Sequence, residues 1–311
     1  MSGIHHVTAI CGSAERNLDF YTRTLGLRFV KKTVNFDDPG AYHLYYGDHV
    51  GHPGTIVTFF AWELASAGRP GVGFTEQVAL QVPAGSLGYW TQRFSAKDVP
   101  HGPLSEVFGQ PVLPFSDPDG MQLTLVGVEN AGMVDQTDDG DVVAEHAIRG
   151  VNGVTLLLES TEATATILVD VFGLKQAGAE GVVSRYVASD VAVGGVVDLR
   201  EVSGSLRGNM GRGVIHHVAF RAQDDAAQAR MAAKLRDGYG LQTTDQKDRQ
   251  YFRSVYFREP GGVILEIATD QPGFTVDEPI ATLGTALKLP PFLEPHRKQI
   301  EATLPPLGRA A

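Results

Sequence analysis

Four stretches of this chain repeat one outline, and a chain built of repeats must bury the apolar face of each unit against its neighbours. Each stretch opens with a short apolar strand, continues through an amphipathic helix and ends in strands separated by Gly- or Pro-containing turns. They span residues 3–62, 74–128, 150–202 and 213–269. In the first, a strand over 4–10 leads to a helix in which Leu18, Tyr21 and Leu25 recur at helical spacing, with Gly26 placed to end it. The other helices are expected near 87–94, 163–172 and 226–237, and the closing strands near 121–126, 194–202 and 263–268. The expected class is α+β: four βαβββ modules in two pseudo-symmetric, cup-shaped domains, each an incomplete barrel with helices outside. Residues 1–130 would carry modules 1 and 2, 131–146 an acidic linker, 147–270 modules 3 and 4, and 271–311 a Pro-rich tail with one short helix.

Two histidine pairs stand at matching places in this outline. Ile4-His5-His6-Val7-Thr8 opens module 1, and Ile215-His216-His217-Val218-Ala219 opens module 4. The last strand of module 4, Val263-Ile264-Leu265-Glu266-Ile267, carries a carboxylate inside an apolar run. Burying an ionised Glu there costs several kcal/mol unless a cation or tight pairing compensates it. At the first-strand position the modules offer His6, Gln77, Gly153 and His217; at the last-strand position they offer Thr58, Thr124, Asp198 in ambiguous register, and Glu266. Only modules 1 and 4 have imidazole, and only module 4 has a carboxylate in clear register. One metal site is therefore expected in the cup of modules 1 and 4, held by His6, His217 and Glu266. A lone strand histidine usually just packs in a core, but recurrence at equivalent repeat positions favours metal. Two imidazoles and one carboxylate are the donor set of a facial iron site with positions open for substrate and oxygen.

Alternation of strand side chains assigns faces around these residues. Thr8 should share the cup face with His6, whereas His5 and His216 should point away, toward the helix layer or a strand edge. Cys11, at an odd separation from His6, reads as a buried small hydrophobe. Upstream of Glu266, a strand rich in Arg and Tyr and a Pro260-Gly261-Gly262 turn suggest a hairpin that sets the Tyr256 phenol beside the metal. Arg253 and Arg258 read as solvated. His43, His49 and His52, near Asp48, read as solvated turn residues rather than a second metal site, and His101, His146 and His296 receive no role.

Bulk properties narrow the partners. A net charge of −10 argues against nucleic acid and anionic membrane, which demand a basic surface. No run of eighteen apolar residues and no signal peptide is visible, and the single cysteine suits a reducing compartment, so the expected location is cytoplasmic. Despite 36 glycines there is no phosphate-cradling loop or nucleophile elbow. A homo-oligomer is compatible with these features.

The chain resembles the vicinal oxygen chelate superfamily, built from paired βαβββ modules. Within it, the likeness is to ring-cleaving dioxygenases acting on para-hydroquinones and to related thiol- and quinone-responsive dioxygenases of bacteria. It covers nearly the whole chain and rests on the opening residues 4–8, on 31–39, on Tyr42-His43-Leu44-Tyr45-Tyr46-Gly47-Asp48, and on Leu289-Pro290-Pro291-Phe292-Leu293-Glu294-Pro295. The resemblance implies iron ligands at His6, His217 and Glu266, an Arg and a Tyr acting on the substrate at Arg249 and Tyr256, and further substrate-binding or supporting residues at His5, Thr8 and His216. Phe292 stands where the family has Trp, a departure that bears on the pocket rim.

The implied function is Fe(II)-dependent cleavage of a hydroquinone-type ring by O2, with Mn(II) as the alternative metal, and a small aromatic substrate and O2 as partners. Catechol extradiol cleavage is the nearest rival. A glyoxalase-like isomerase needs a second carboxylate where Thr58 stands. A non-catalytic ligand-binding or resistance protein of the same fold typically lacks the triad, so iron content discriminates it.

Overall fold

The computed structural model describes residues 3–129, 131 and 141–308. Module 1 contributes strands β1 (Ile4–Cys11), β2 (Arg28–Asn35), β3 (Asp38–Gly47) and β4 (Ile56–Ala61). Module 2 contributes β5 (Phe74–Pro83), β6 (Ser105–Val107), β7 (Gln110–Ser116) and β8 (Gln122–Val128). Module 3 supplies β9 (Gly150–Leu158), β10 (Lys175–Glu180), β11 (Val183–Val187) and β12 (Val196–Glu201). Module 4 supplies β13 (Ile215–Ala222), β14 (Lys247–Asp248), β15 (Arg253–Arg258) and β16 (Ile264–Thr269). After each first strand comes a helix: α1 (Ala14–Asp19), α2 (Leu87–Ala96), α3 (Glu162–Asp170) and α4 (Asp225–Tyr239).

The sixteen strands form two curled sheets of eight. One runs β14-β15-β16-β13-β1-β4-β3-β2 and the other β10-β11-β12-β9-β5-β8-β7-β6. In every module the first strand pairs in parallel with the last, which then continues antiparallel to the third. The two first strands of each sheet meet antiparallel at its centre, β1 with β13 and β5 with β9. Module 1 thus shares a sheet with module 4, and module 2 with module 3, so each sheet draws on both halves of the chain.

Local chemistry explains the punctuation. Asp224 caps α4 by accepting the Ala227 amide, and Gly240 ends it in the left-handed region at φ +65°. Helix α1 is shorter than its periodicity suggests, because Phe20–Thr24 winds on as a π-turn before Gly26 at φ +72°. One large core joins both sheets and their helices, and Cys11 is fully buried within it. A smaller cluster fills the first cup: Tyr45 and Ala219 from the sheet, Tyr251 and Phe252 before β15, and Phe274 and Leu283 from the tail.

The tail is folded down onto module 1. The Thr33 hydroxyl donates to the Lys288 carbonyl at 2.6 Å, Leu289, Leu293 and Ile300 are buried, and α5 (Arg297–Thr303) supplies its short helix. Most of the linker expected over 131–146 lies outside the described residues; from its end, Val142 packs into the core. No described helix is long and apolar enough to cross a membrane.

Candidate metal centre

Sheet register brings the three expected ligands together. β1 and β13 are neighbours at the centre of the sheet, which sets the imidazoles of His6 and His217 with ring centroids 5.6 Å apart. β16 lies beside β13 with Glu266 opposite Ala219, one strand over from His217. Glu266 Oε2 stands 3.4 Å from His6 Nε2 and 2.9 Å from His217 Nε2, and all three residues are buried.

The two carboxylate oxygens are not equivalent. Oε1 accepts a 2.5 Å hydrogen bond from the Ser254 hydroxyl on β15. Oε2, fully buried, has no hydrogen-bond donor, although an imidazole nitrogen is within 3 Å. Distance is satisfied but direction is not: neither Nε2 is aimed at Oε2. Ring nitrogens and a carboxylate oxygen that crowd together without addressing one another suit a shared third atom. The three donor atoms lie within 4.8 Å of one another, and this donor set suits iron, manganese or zinc.

The adjacent histidines serve the ligands sideways, which corrects the expectation that His5 and His216 point away. His5 Nδ1 lies 3.0 Å from His6 Nδ1, and His216 Nδ1 lies 2.8 Å from His217 Nδ1. Irregular register between Ile4 and His6 and between Thr8 and Ala9 breaks the simple alternation of β1 against β13. If Nε2 of each inner imidazole is the ligand, its Nδ1–H donates to the outer ring, which must then be neutral. Burial keeps it so: desolvation, assisted by His6, lowers His5 well below 6.5, and desolvation with His217 lowers His216 to about 3. Burial is also the largest influence on Glu266 and pushes its carboxyl up, but the facing His6 and His217 more than offset it and hold it well below 4.5.

Above this cluster sit the two residues assigned to the substrate. Tyr256 is the cross-strand partner of Glu266 in the β15–β16 hairpin, and its ring stands 5.5 Å from that of His217. Arg249 Nε donates to the Tyr256 hydroxyl at 3.3 Å, and its Nη2 to Asp37 Oδ2 at 2.7 Å. Burial, then the Glu266 charge, push the Tyr256 phenol above its ordinary 10.0, so it is a proton donor at neutral pH. Arg253 and Arg258 are exposed as expected.

Sequence reasoning missed His43, which belongs to this site and not to the turn. Its Nε2 lies 2.7 Å from the Thr58 hydroxyl, which donates to Thr8 Oγ1 at 3.0 Å, while its Nδ1 meets the Tyr45 hydroxyl at 2.9 Å. With Thr58 donating onward, His43 donates through Nε2 and accepts from Tyr45. Burial, reinforced by His6 and His217, lowers its pKa well below 6.5. The parity of β3, with His43 and Tyr45 on one face and buried Leu44 on the other, was the available signal. Phe252 was missed as well; its ring lies 4.9 Å from that of His6. Thr8, His5 and His216 support the site without lining its cavity, which measures about 30 Å³. Phe36 lines its rim and meets Phe292 edge-on at 6.0 Å.

The remaining candidates stay apart. Asp48, His49 and His52 are close enough to share an ion, but Asp48 Oδ1 accepts the Val50, Gly51 and His52 amides and Oδ2 takes His52 Nδ1. That is a closed turn. Asp198 proves to be in register with Glu266, since Thr155 faces it as Ala219 faces Glu266; both of its oxygens are bound by Arg185.

Comparison with known proteins agrees with this architecture. Residues 3–125 match the Glyoxalase/Bleomycin resistance protein/Dioxygenase superfamily. MhqO of Bacillus subtilis (strain 168), named as a ring-cleaving dioxygenase, is 45% identical over 98% of this chain and 96% of its own. A chlorohydroquinone/hydroquinone 1,2-dioxygenase of Sphingobium indicum is 33% identical over 98% of this chain and 96% of its own. A crystal structure from Bacillus subtilis, named as a dioxygenase, superposes with a TM-score of 0.94 at 44% identity, covering 98% of this chain and 97% of the other. The chain therefore belongs to the glyoxalase/bleomycin resistance protein/dioxygenase superfamily and, within it, to the group named as ring-cleaving dioxygenases.

Proposed function

We propose that this protein is an Fe(II)-dependent dioxygenase that opens a hydroquinone-type ring with O2, using His6, His217 and Glu266 as its metal ligands. The observation that carries the reading is Glu266 Oε2, a buried carboxylate oxygen without a hydrogen-bond donor between two imidazole nitrogens. Iron bound there supplies the redox chemistry that allows O2 to react with an aromatic diol. Mn(II) fits the same donors.

The chain's own residues have separable tasks. His5 and His216, neutral through burial, accept from the inner imidazoles and fix their tautomers. Ser254 holds one oxygen of Glu266 and leaves the other free. Arg249, pinned by Asp37, presents a fixed positive charge to an anionic phenolate in a space that admits little water. Tyr256 keeps its proton at neutral pH and can deliver it to an oxygen of the opening ring. His43, Tyr45 and Phe252 shape the far wall. A cavity of about 30 Å³ leaves little spare room beside the three ligands, with Phe36 and Arg249 among the residues that bound it.

The isomerase alternative would need a carboxylate at Thr58, whose hydroxyl is committed to His43 and Thr8. Oxygen uptake by anaerobically Fe(II)-loaded protein, measured with a panel of hydroquinones and catechols, tests the reading. Preferential uptake with hydroquinones is expected; uptake with catechols alone, or with neither, contradicts it.

A further inference from the structure

The second sheet forms a matching cup whose interior has diverged. Register places Gln77, Gly153, Thr124 and Asp198 where the first cup has His6, His217, Thr58 and Glu266. No imidazole can stand at Gly153, because a Cβ there would lie 2.3 Å from the Val196 carbonyl oxygen. The carboxylate is engaged as well, with Asp198 taking Arg185 Nε at 2.8 Å and Nη2 at 2.7 Å. This cup is not a metal site. Yet it encloses about 210 Å³ against about 30 Å³ in the first, whose space is taken by Tyr251, Phe252, Phe274 and Leu283.

Its lining is polar in a particular way. The side chains of Gln77, Asn152, Thr124 and Thr155 border the cavity and make no hydrogen bond to other described residues. Thr124 and Asn152 are nevertheless 5% and 7% exposed. None of their polar atoms is sealed off without a partner; they open onto the cavity, where water or a ligand can take their hydrogen bonds.

We propose that this cup is a second, metal-free binding site for a neutral single-ring molecule bearing hydroxyl or carbonyl groups. Charge selects neutrality, because Arg185 and Asp198 cancel one another and an ionic ligand would have to break their bidentate pair. Gln77 and Asn152 each offer a donor and an acceptor, which suits a hydroxyl or a carbonyl equally. Val112, Val126 and Val196 supply apolar walls for the faces of a ring, and the volume is below that of sites for drug-sized ligands. At the β6–β7 turn, Phe108 adopts φ +50°, a strained conformation for a bulky residue, and its ring lies 4.0 Å from the Arg185 guanidinium. The site does not depend on turnover in the first cup.

The test is a methyl NMR titration of full-length protein with hydroquinone under argon, with benzoate and benzylammonium as charged probes. Saturable shifts are expected at Val112, Val126 and Val196 with hydroquinone and not with either ion. In the Gln77→Leu/Asn152→Leu variant, affinity at those methyls should fall about tenfold or more through loss of two hydrogen bonds. If that variant does not fold, Thr124→Val serves, with a smaller loss. Shifts confined to the first cup, no saturation, an equal response to the ions, or unchanged affinity in a folded variant would overturn the proposal.

Discussion

Replacing Lys31 by Met tests how the tail and the candidate active site hold one another. Lys31 is fully buried in the first cup, with its ammonium 2.6 Å from Asp277 Oδ1 and 2.6 Å from Glu278 Oε2, and 4.9 Å from the centre of the Tyr251 ring. Methionine keeps the length of the apolar stem, so the cavity term is small. What changes is charge. Asp277 is partly exposed and still accepts from Gln250 Nε2 at 3.0 Å and the Tyr251 hydroxyl at 3.1 Å. Glu278, whose side chain is 3% exposed, retains only the Gly284 and Ala286 amides, both at 3.4 Å. A buried carboxylate stripped of its cation costs about 3–5 kcal/mol. Urea unfolding should show a loss of that size, and Lys31→Met/Glu278→Gln should recover most of it. Asp277 also anchors Gln250 and Tyr251, which lie between Arg249 and Phe252, and it loses its cation in both variants, so turnover should fall alike in the single and the double. A loss below about 1 kcal/mol, or a double variant no more stable than the single, would refute the reasoning.

Two further outcomes follow from individual side chains. Tyr256→Phe should keep the metal and lose about 10²-fold in turnover, the low end for a positioned proton donor; unchanged turnover in an oxygen electrode would reduce Tyr256 to packing. Asp117 is buried, and desolvation raises its carboxyl to about 6 against the backbone amides of Met121 and Asp119 that stabilise its charge. A raised carboxyl favours the fold most below its unfolded value of 3.8, and that contribution is lost as pH rises through about 6. Relative to Asp117→Asn, the parent protein should therefore lose about 2 kcal/mol between pH 4 and pH 7, and a flat difference in unfolding free energy would contradict the assignment.

How far the sequence could be read depends on the range of the interaction. Strand and helix periods are local, so the fourfold outline was legible, and with it the recurrence of His6 at His217. The Glu266 carboxylate stood out because an apolar strand has no other use for it. Tyr256 could be set beside Glu266 because a Pro-Gly-Gly turn fixes a hairpin register. His43 was not legible in the same way: its place depends on β3 pairing with β4 and β4 with β1, joining Thr58 to both His43 and Thr8. Asp37 reaches Arg249 across 212 positions, and nothing local announces that contact. His5 and His216 were misdirected because ideal alternation ignores the irregular pairing of β1 with β13, which leaves His5 unpaired on the one strand and His216 on the other. Asp198 needed only the pairing of β12 with β9 to show that it shares the Glu266 position.

In the proposed function one buried carboxylate and two imidazoles act as a metal site, and the direct measurement is iron bound and oxygen consumed by the same samples. Protein purified without oxygen and loaded with Fe(II) should retain one iron per chain after dialysis and consume one O2 per hydroquinone opened. His217→Ala and Glu266→Ala should fold, retain no iron and consume no oxygen. Near-normal iron and oxygen uptake in either folded variant would contradict the assignment of His6, His217 and Glu266.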